Sequence, residues 1–363
     1  MRINQADYPV IPISEKALLE KIDKIAKACS RINQYPLTLF KGHMEEIKRE
    51  VETRLSDSAS STDPILRKQY YLFSWLSVWL LSDQLEKFTL VEASIGDPMW
   101  GHLNIVIDDL IERLGLSSKP LPFFGSSFYC TGSFAYTERG IPVSPFYQVS
   151  TESRESTLFW PLLAHEIAHL KLHETDEARN LRRELSRRNL RSEKYRERLD
   201  EALCDIIATL LYGPAYIVAF GTKFWQILDE YHDESYPSNQ FRLFIMFKTM
   251  EDKDVEPLFY SIKNNFQVNE RLARREEISF LTDEMIELGQ NMVRNPAQID
   301  VGKIIDFCRN PNKIDKGRLD YLFNTLWLMV YQGTKTFSAA TDMAQSFLER
   351  WTKRSQPSTK GRS

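Results

Sequence analysis

Three side chains within five residues could do chemistry together: His165, Glu166 and His169, in the segment Phe159-Trp160-Pro161-Leu162-Leu163-Ala164-His165-Glu166-Ile167-Ala168-His169-Leu170. On a helix, His165 and His169 stand one turn apart on one face, so both imidazoles can reach one zinc ion at about 2.0–2.1 Å. Glu166 lies about 100° further round, close enough to act on a metal-held water without being a ligand. From Phe159 to Leu172 the only ionisable side chains are His165, Glu166, His169 and Lys171. A helix this apolar belongs in a core, where ionisable groups are costly unless a metal or partners satisfy them. The alternative is a pair of satisfied core histidines.

A catalytic zinc needs a third protein ligand. His173 lies eight residues past His165, roughly 12 Å along the axis, too far to share one ion. The extended pattern HExxHxxGxxH is absent, because Leu172 and Thr175 occupy its places. The best candidate is Glu201, in Leu199-Asp200-Glu201-Ala202-Leu203-Cys204-Asp205-Ile206. Glu201, Asp205, Ala208 and Tyr212 share one side of that helix, opposite Leu199, Leu203, Ile206 and Leu210. Asp205 is the only charge between Ala202 and Tyr212. It is placed to hold a ligand histidine by its other ring nitrogen. An exposed acidic edge is the competing interpretation of the same pattern.

HExxH followed by a helix bearing ExxxD resembles the gluzincin class of zinc metallopeptidases. The resemblance implies His165, His169 and Glu201 as zinc ligands, Glu166 as general base and Asp205 as support for a ligand. It covers roughly residues 140–242. Two subfamilies compete. His169-Leu170-Lys171-Leu172-His173 with the Glu201 helix resembles the ImmA/IrrE-type regulatory peptidases, although Asp205 stands where those have Asn. Tyr236-Pro237 followed by Arg242 resembles the HP…R element of HtpX-like peptidases, although Tyr236 replaces the His. A donor to the developing oxyanion is expected in the same stretch: Tyr236, whose phenol donates while neutral, or His232, which sits among acids.

The elements that must position these groups are mainly helical. Apolar periodicity marks residues 14–34, 37–56, 64–95, 101–115, 156–230, 239–252, 275–293 and 317–350, with Asp63-Pro64 as a helix start. Only Leu121 to Val149 reads as strand, predicting a small antiparallel sheet. Within it, Pro142–Val149 is either an edge that aligns an extended substrate by strand addition or an ordinary connecting strand. The expected fold is mostly α (α+β): a zincin-like core over 117–242, helical regions over 1–116 and 243–352, and a disordered tail over 353–363.

The chain has 363 residues, 47 basic against 50 acidic, so a generic nucleic-acid coat is excluded. Residues 179–198 nevertheless hold nine Arg or Lys against three Glu, a local charge of +6. That block, an insertion between motif and third ligand, is read as a solvated helical face rather than a nucleic-acid site. Cys29, Cys130, Cys204 and Cys308 are scattered, without the spacing of a disulfide framework or thiolate cage. The N-terminus lacks a secretory apolar run, and Tyr70 to Ser82 is too short to span a bilayer. The expectation is therefore a cytoplasmic zinc metallopeptidase acting on a protein or peptide, with no membrane span. Its rival is a non-catalytic helical interaction or regulatory protein with a structural metal site, for which the basic insertion would be the surface that meets nucleic acid.

Overall fold

A computed structural model describes residues 52–57, 59–70, 93–116, 120–125, 131–136, 142–150, 155–174, 193–224, 236–251 and 268–355, with isolated positions between them. The chain divides into two compact units, Met1–Ala93 with Phe134–Pro145, and Ser94–Ser133 with Phe146–Ser363. In the first, residues 64–70 are helical and the Asp63 carboxylate accepts the Ile65 N–H at 2.8 Å, an N-terminal cap. Apart from Glu20, the segment 14–34 lies outside the described residues, as does most of the Tyr70 to Ser82 run.

The second unit begins with α1, Pro98–Leu114. Asp97 caps it, Pro98 occupies the first turn, and Gly115 ends it at φ 61°, where a side chain would be strained. Next come β1 (Leu121–Gly125), β2 (Thr131–Tyr136) and β3 (Pro142–Ser150), the last two crossing the division between units. The sheet departs from the antiparallel expectation. β1 pairs with β3 in parallel, Leu121 opposite Phe146 through Gly125 opposite Ser150. The strand order is β1-β3-β2, so β1 and β3 are not joined by the tight turn that would force opposite directions. β3 is thus the middle strand, which removes it as the free edge for a substrate.

The remainder is helical: α2 (Leu163–Glu174), α3 (Glu193–Tyr212), α4 (Pro214–Phe224), α5 (Asn239–Met250), α6 (Thr282–Met292), α7 (Val301–Arg309), α8 (Leu319–Tyr331) and α9 (Phe337–Ser355). The periodic stretch 317–350 is two helices, because Gly333 adopts φ 67° and breaks the run. Positions 356–363 of the expected tail lie outside the described residues. Among the described residues, no helix is long and apolar enough to cross a membrane.

α3 is the axis of this unit and packs against α2, α5 and α6. Its first turns, Glu193-Lys194-Tyr195-Arg196-Glu197-Arg198, are charged, whereas Glu201 to Tyr212 is buried on every side. An all-round apolar helix is stable only when covered, and α2, α5 and α6 supply the cover. Gly213, at φ 60°, ends it and lets Pro214 start α4 at once.

α1 brings one partly buried ion pair whose balance depends on pH. Burial lifts the Asp109 carboxyl from 3.8 to about 6, although Arg113 Nη1 lies 3.5 Å away. Because the folded-state value is raised, the folded chain holds this proton more tightly than the unfolded one. The stabilisation is complete below about pH 4 and is lost as pH rises through about 6. A shift of roughly two units corresponds to at most roughly 3 kcal/mol. Asp109→Asn should therefore reduce the gap in unfolding free energy between about pH 4 and about pH 7 by up to that amount. An unchanged gap in denaturant titrations would mean that Arg113 already holds the carboxylate ionised.

Candidate metal centre

The helix carrying the two histidines is anchored before it begins. Thr157–Leu162 forms a 3-10 turn whose Trp160 is fully buried. The Leu158 carbonyl accepts the Trp327 indole N–H from α8 at 3.0 Å, and Phe159 meets Trp327 edge-on. α2 follows directly, with His165 buried and Glu166 and His169 half-buried. Glu201, Cys204 and Asp205 face this helix from α3, Tyr216 comes from α4, and Arg242 from α5.

Glu201 stands between the two imidazoles. Its Oε2 is 3.1 Å from His165 Nε2, and its Oε1 is 3.4 Å from His169 Nε2. Four donors at about 2.0–2.1 Å from a tetrahedral ion lie about 3.3 Å apart along each edge, so this spacing suits a shared cation. The donor set, two imidazoles and a carboxylate, is that of borderline first-row ions. Cys204 widens the choice: His165, His169 and Cys204 each offer a donor atom, and these atoms all lie within 4.8 Å of one another.

The other ring nitrogen of His165 is also engaged. Nδ1 lies 2.9 Å from Asp205 Oδ1, so Nδ1–H donates to this carboxylate, as Nε2–H of the protonated ring does to Glu201. Asp205 is fully buried and held from three directions. Arg242 donates twice, Nε to Oδ2 at 2.6 Å and Nη2 to Oδ1 at 2.9 Å, and the Tyr216 hydroxyl donates to Oδ1 at 2.6 Å. Arg242 Nη2 also lies 3.6 Å from Glu201 Oε2, and its guanidinium stacks 4.7 Å over the Phe220 ring.

The electrostatics demand positive charge at this place. Burial disfavours a charged His165, but the carboxylates of Asp205 and then Glu201 outweigh it and raise its pKa to about 10. Burial likewise opposes ionised Glu201, and His165 overcomes it, holding the carboxyl well below its ordinary range. The Cys204 thiol is pushed up, first by burial and then by the carboxylates of Glu201, Asp200, Asp205 and Glu166. A site that binds a proton so firmly between carboxylates is one a cation can occupy instead.

The structure thus brings His165, His169, Glu201 and Asp205 together, with Glu166 on the adjoining position of α2. Tyr236 lies at the bend before α5 and is 43% exposed. His232 and most of the basic block lie outside the described residues. The sequence reading gave Cys204 and Tyr216 no role in this cluster, and named Arg242 only as the Arg of an HP…R-like element, without its acidic partner. For Arg242 a signal existed: it is the only charge in Phe241–Phe247, as Asp205 is in Ala202–Tyr212. Two lone opposite charges on separate apolar helices are each costly to bury unless they meet.

No protein-family model, curated protein or solved structure matches this chain.

Proposed function

We propose that this protein is a zinc-dependent metallopeptidase with a gluzincin-like core, hydrolysing peptide bonds of a protein or peptide substrate. The observation that carries this reading is the Glu201 carboxylate, placed 3.1 and 3.4 Å from the Nε2 atoms of two histidines that flank Glu166 in sequence. His165, His169 and Glu201 would hold the ion. Zinc, when bound, polarises the scissile carbonyl and lowers the pKa of the attacking water towards about 7. Glu166 takes the proton released in the attack and returns it to the leaving nitrogen. Its half-buried position on α2 leaves it within reach of a substrate, whereas Asp205 is sealed from one. With an ion in place of the Nε2 proton, Asp205 would keep His165 in the tautomer a metal requires, and Arg242 and Tyr216 hold Asp205. Tyr236, exposed before α5, is the candidate donor to the oxyanion, with His232 as the other.

The purified protein should carry about one zinc per chain by elemental analysis. His169→Ala and Glu201→Ala should each lose most of it under the same dialysis. Full occupancy in Glu201→Ala would remove Glu201 from the ligand set. Full occupancy in both variants would end the metallopeptidase reading.

A further inference from the structure

A catalytic zinc usually has three protein ligands and one open position, and a structural zinc has four protein ligands. The sequence motif supplies three donors here, and α3 brings a fourth of a different chemical kind. Cys204 follows Glu201 by three residues, so both side chains leave α3 on neighbouring lines of one face. Its sulfur is fully buried, belongs to no disulfide, and lies within 4.8 Å of a donor nitrogen on each histidine. Cys308, the other described free cysteine, sits on α7 and contacts the Thr325 carbonyl instead. An apolar role would suit any small side chain on this buried helix. Convergence with both imidazoles is what sets Cys204 apart.

We propose that Cys204 is a fourth protein donor to this centre, so that the resting site is a closed set of His165, His169, Glu201 and Cys204. This rests on the reading that the two histidines and Glu201 hold a metal. The thiol coordinates with release of its proton, and the thiolate biases the site towards zinc and cobalt over oxygen-preferring ions such as magnesium and manganese. Substrate hydrolysis then requires the closed set to open, or to expand to five donors. Glu201 is the better-held acidic donor, because Arg242 lies 3.6 Å from its carboxylate. Cys204 is therefore the group that gives way.

Cobalt(II) alone, titrated into the 363-residue chain, tests this. Wild type should develop a near-ultraviolet sulfur-to-cobalt charge-transfer band together with visible bands of a four-coordinate ion. Cys204→Ser should lose the near-ultraviolet band and keep the visible ones. If that variant fails to fold, X-ray absorption on the wild-type zinc protein decides. One sulfur at about 2.3 Å, beside nitrogen and oxygen at about 2.0–2.1 Å, supports the proposal. A shell of nitrogen and oxygen only, or a charge-transfer band that survives in Cys204→Ser, overturns it while leaving the metallopeptidase reading in place. Cobalt binding that His169→Ala does not diminish overturns both.

Discussion

The Glu166→Gln protein should bind zinc as wild type does and lose peptide hydrolysis by about 10²–10⁴-fold or more. The side chain is nearly isosteric, so the fold around α2 has no reason to change. What disappears is the carboxylate proposed to accept the proton of the attacking water and deliver it to the departing amine. Glu166 adjoins His165 on α2 and is half-buried. His165 and His169 turn their Nε2 atoms to Glu201 instead. Turnover of a quenched-fluorescent peptide mixture, read beside zinc content, separates the outcomes. Zinc lost along with activity would move Glu166 among the ligands. Unchanged turnover would take away its role as base, and with it the proposed chemistry.

Arg242→Met should destabilise the protein by about 3–5 kcal/mol, the usual consequence of stripping one partner from a buried ion pair. Asp205 has no exposure at all, and Arg242 gives it two of its hydrogen bonds, at 2.6 and 2.9 Å. Methionine keeps much of the volume over the Phe220 ring but leaves the carboxylate short of its main counter-charge. The double variant Asp205→Leu/Arg242→Met removes both charges and should recover much of the loss, since a matched apolar pair is often no less stable than a buried salt bridge. Zinc affinity should nevertheless stay weakened in the double variant, by roughly 10–100-fold, because His165 has lost the group that orients it. Denaturant unfolding of the three proteins, with a chelator competition for zinc, reads both effects. A double variant as unstable as Arg242→Met alone would mean that the pair is not the source of the destabilisation.

How much of this centre could be seen in the linear chain differs from residue to residue. His165 and His169 share a face because four residues make about one helical turn, a relation that holds wherever the helix is placed. Glu201 and Asp205 were singled out by the same periodicity, together with the lack of other charges on an apolar stretch. Arg242 carried an equivalent signal, a lone charge among Phe241, Leu243 and Phe244, yet nothing in its own helix says which acid it meets. Cys204 carried less, because a buried cysteine is ordinary in a core. Its neighbours across the helix interface are what give it meaning.

The sheet makes the same distinction from the other side. Alternation and composition mark Leu121 to Val149 as strand, but not the partner or direction of each strand. Parallel pairing of β1 with β3, with β3 between β1 and β2, joins residues more than twenty positions apart, such as Leu121 and Phe146, and no local pattern encodes it. The sequence by itself therefore determined the helical character, the spacing of the imidazoles and the presence of unmatched charges in apolar helices. All of these depend on residues a few positions apart. Only the tertiary structure decided that Glu201 sits between two imidazoles 32 and 36 positions away, that Asp205 is held by Arg242 37 positions on, and that β3 is the middle strand. Those choices depend on which faces of separate helices cover one another, a balance of burial and polar satisfaction summed over the whole unit.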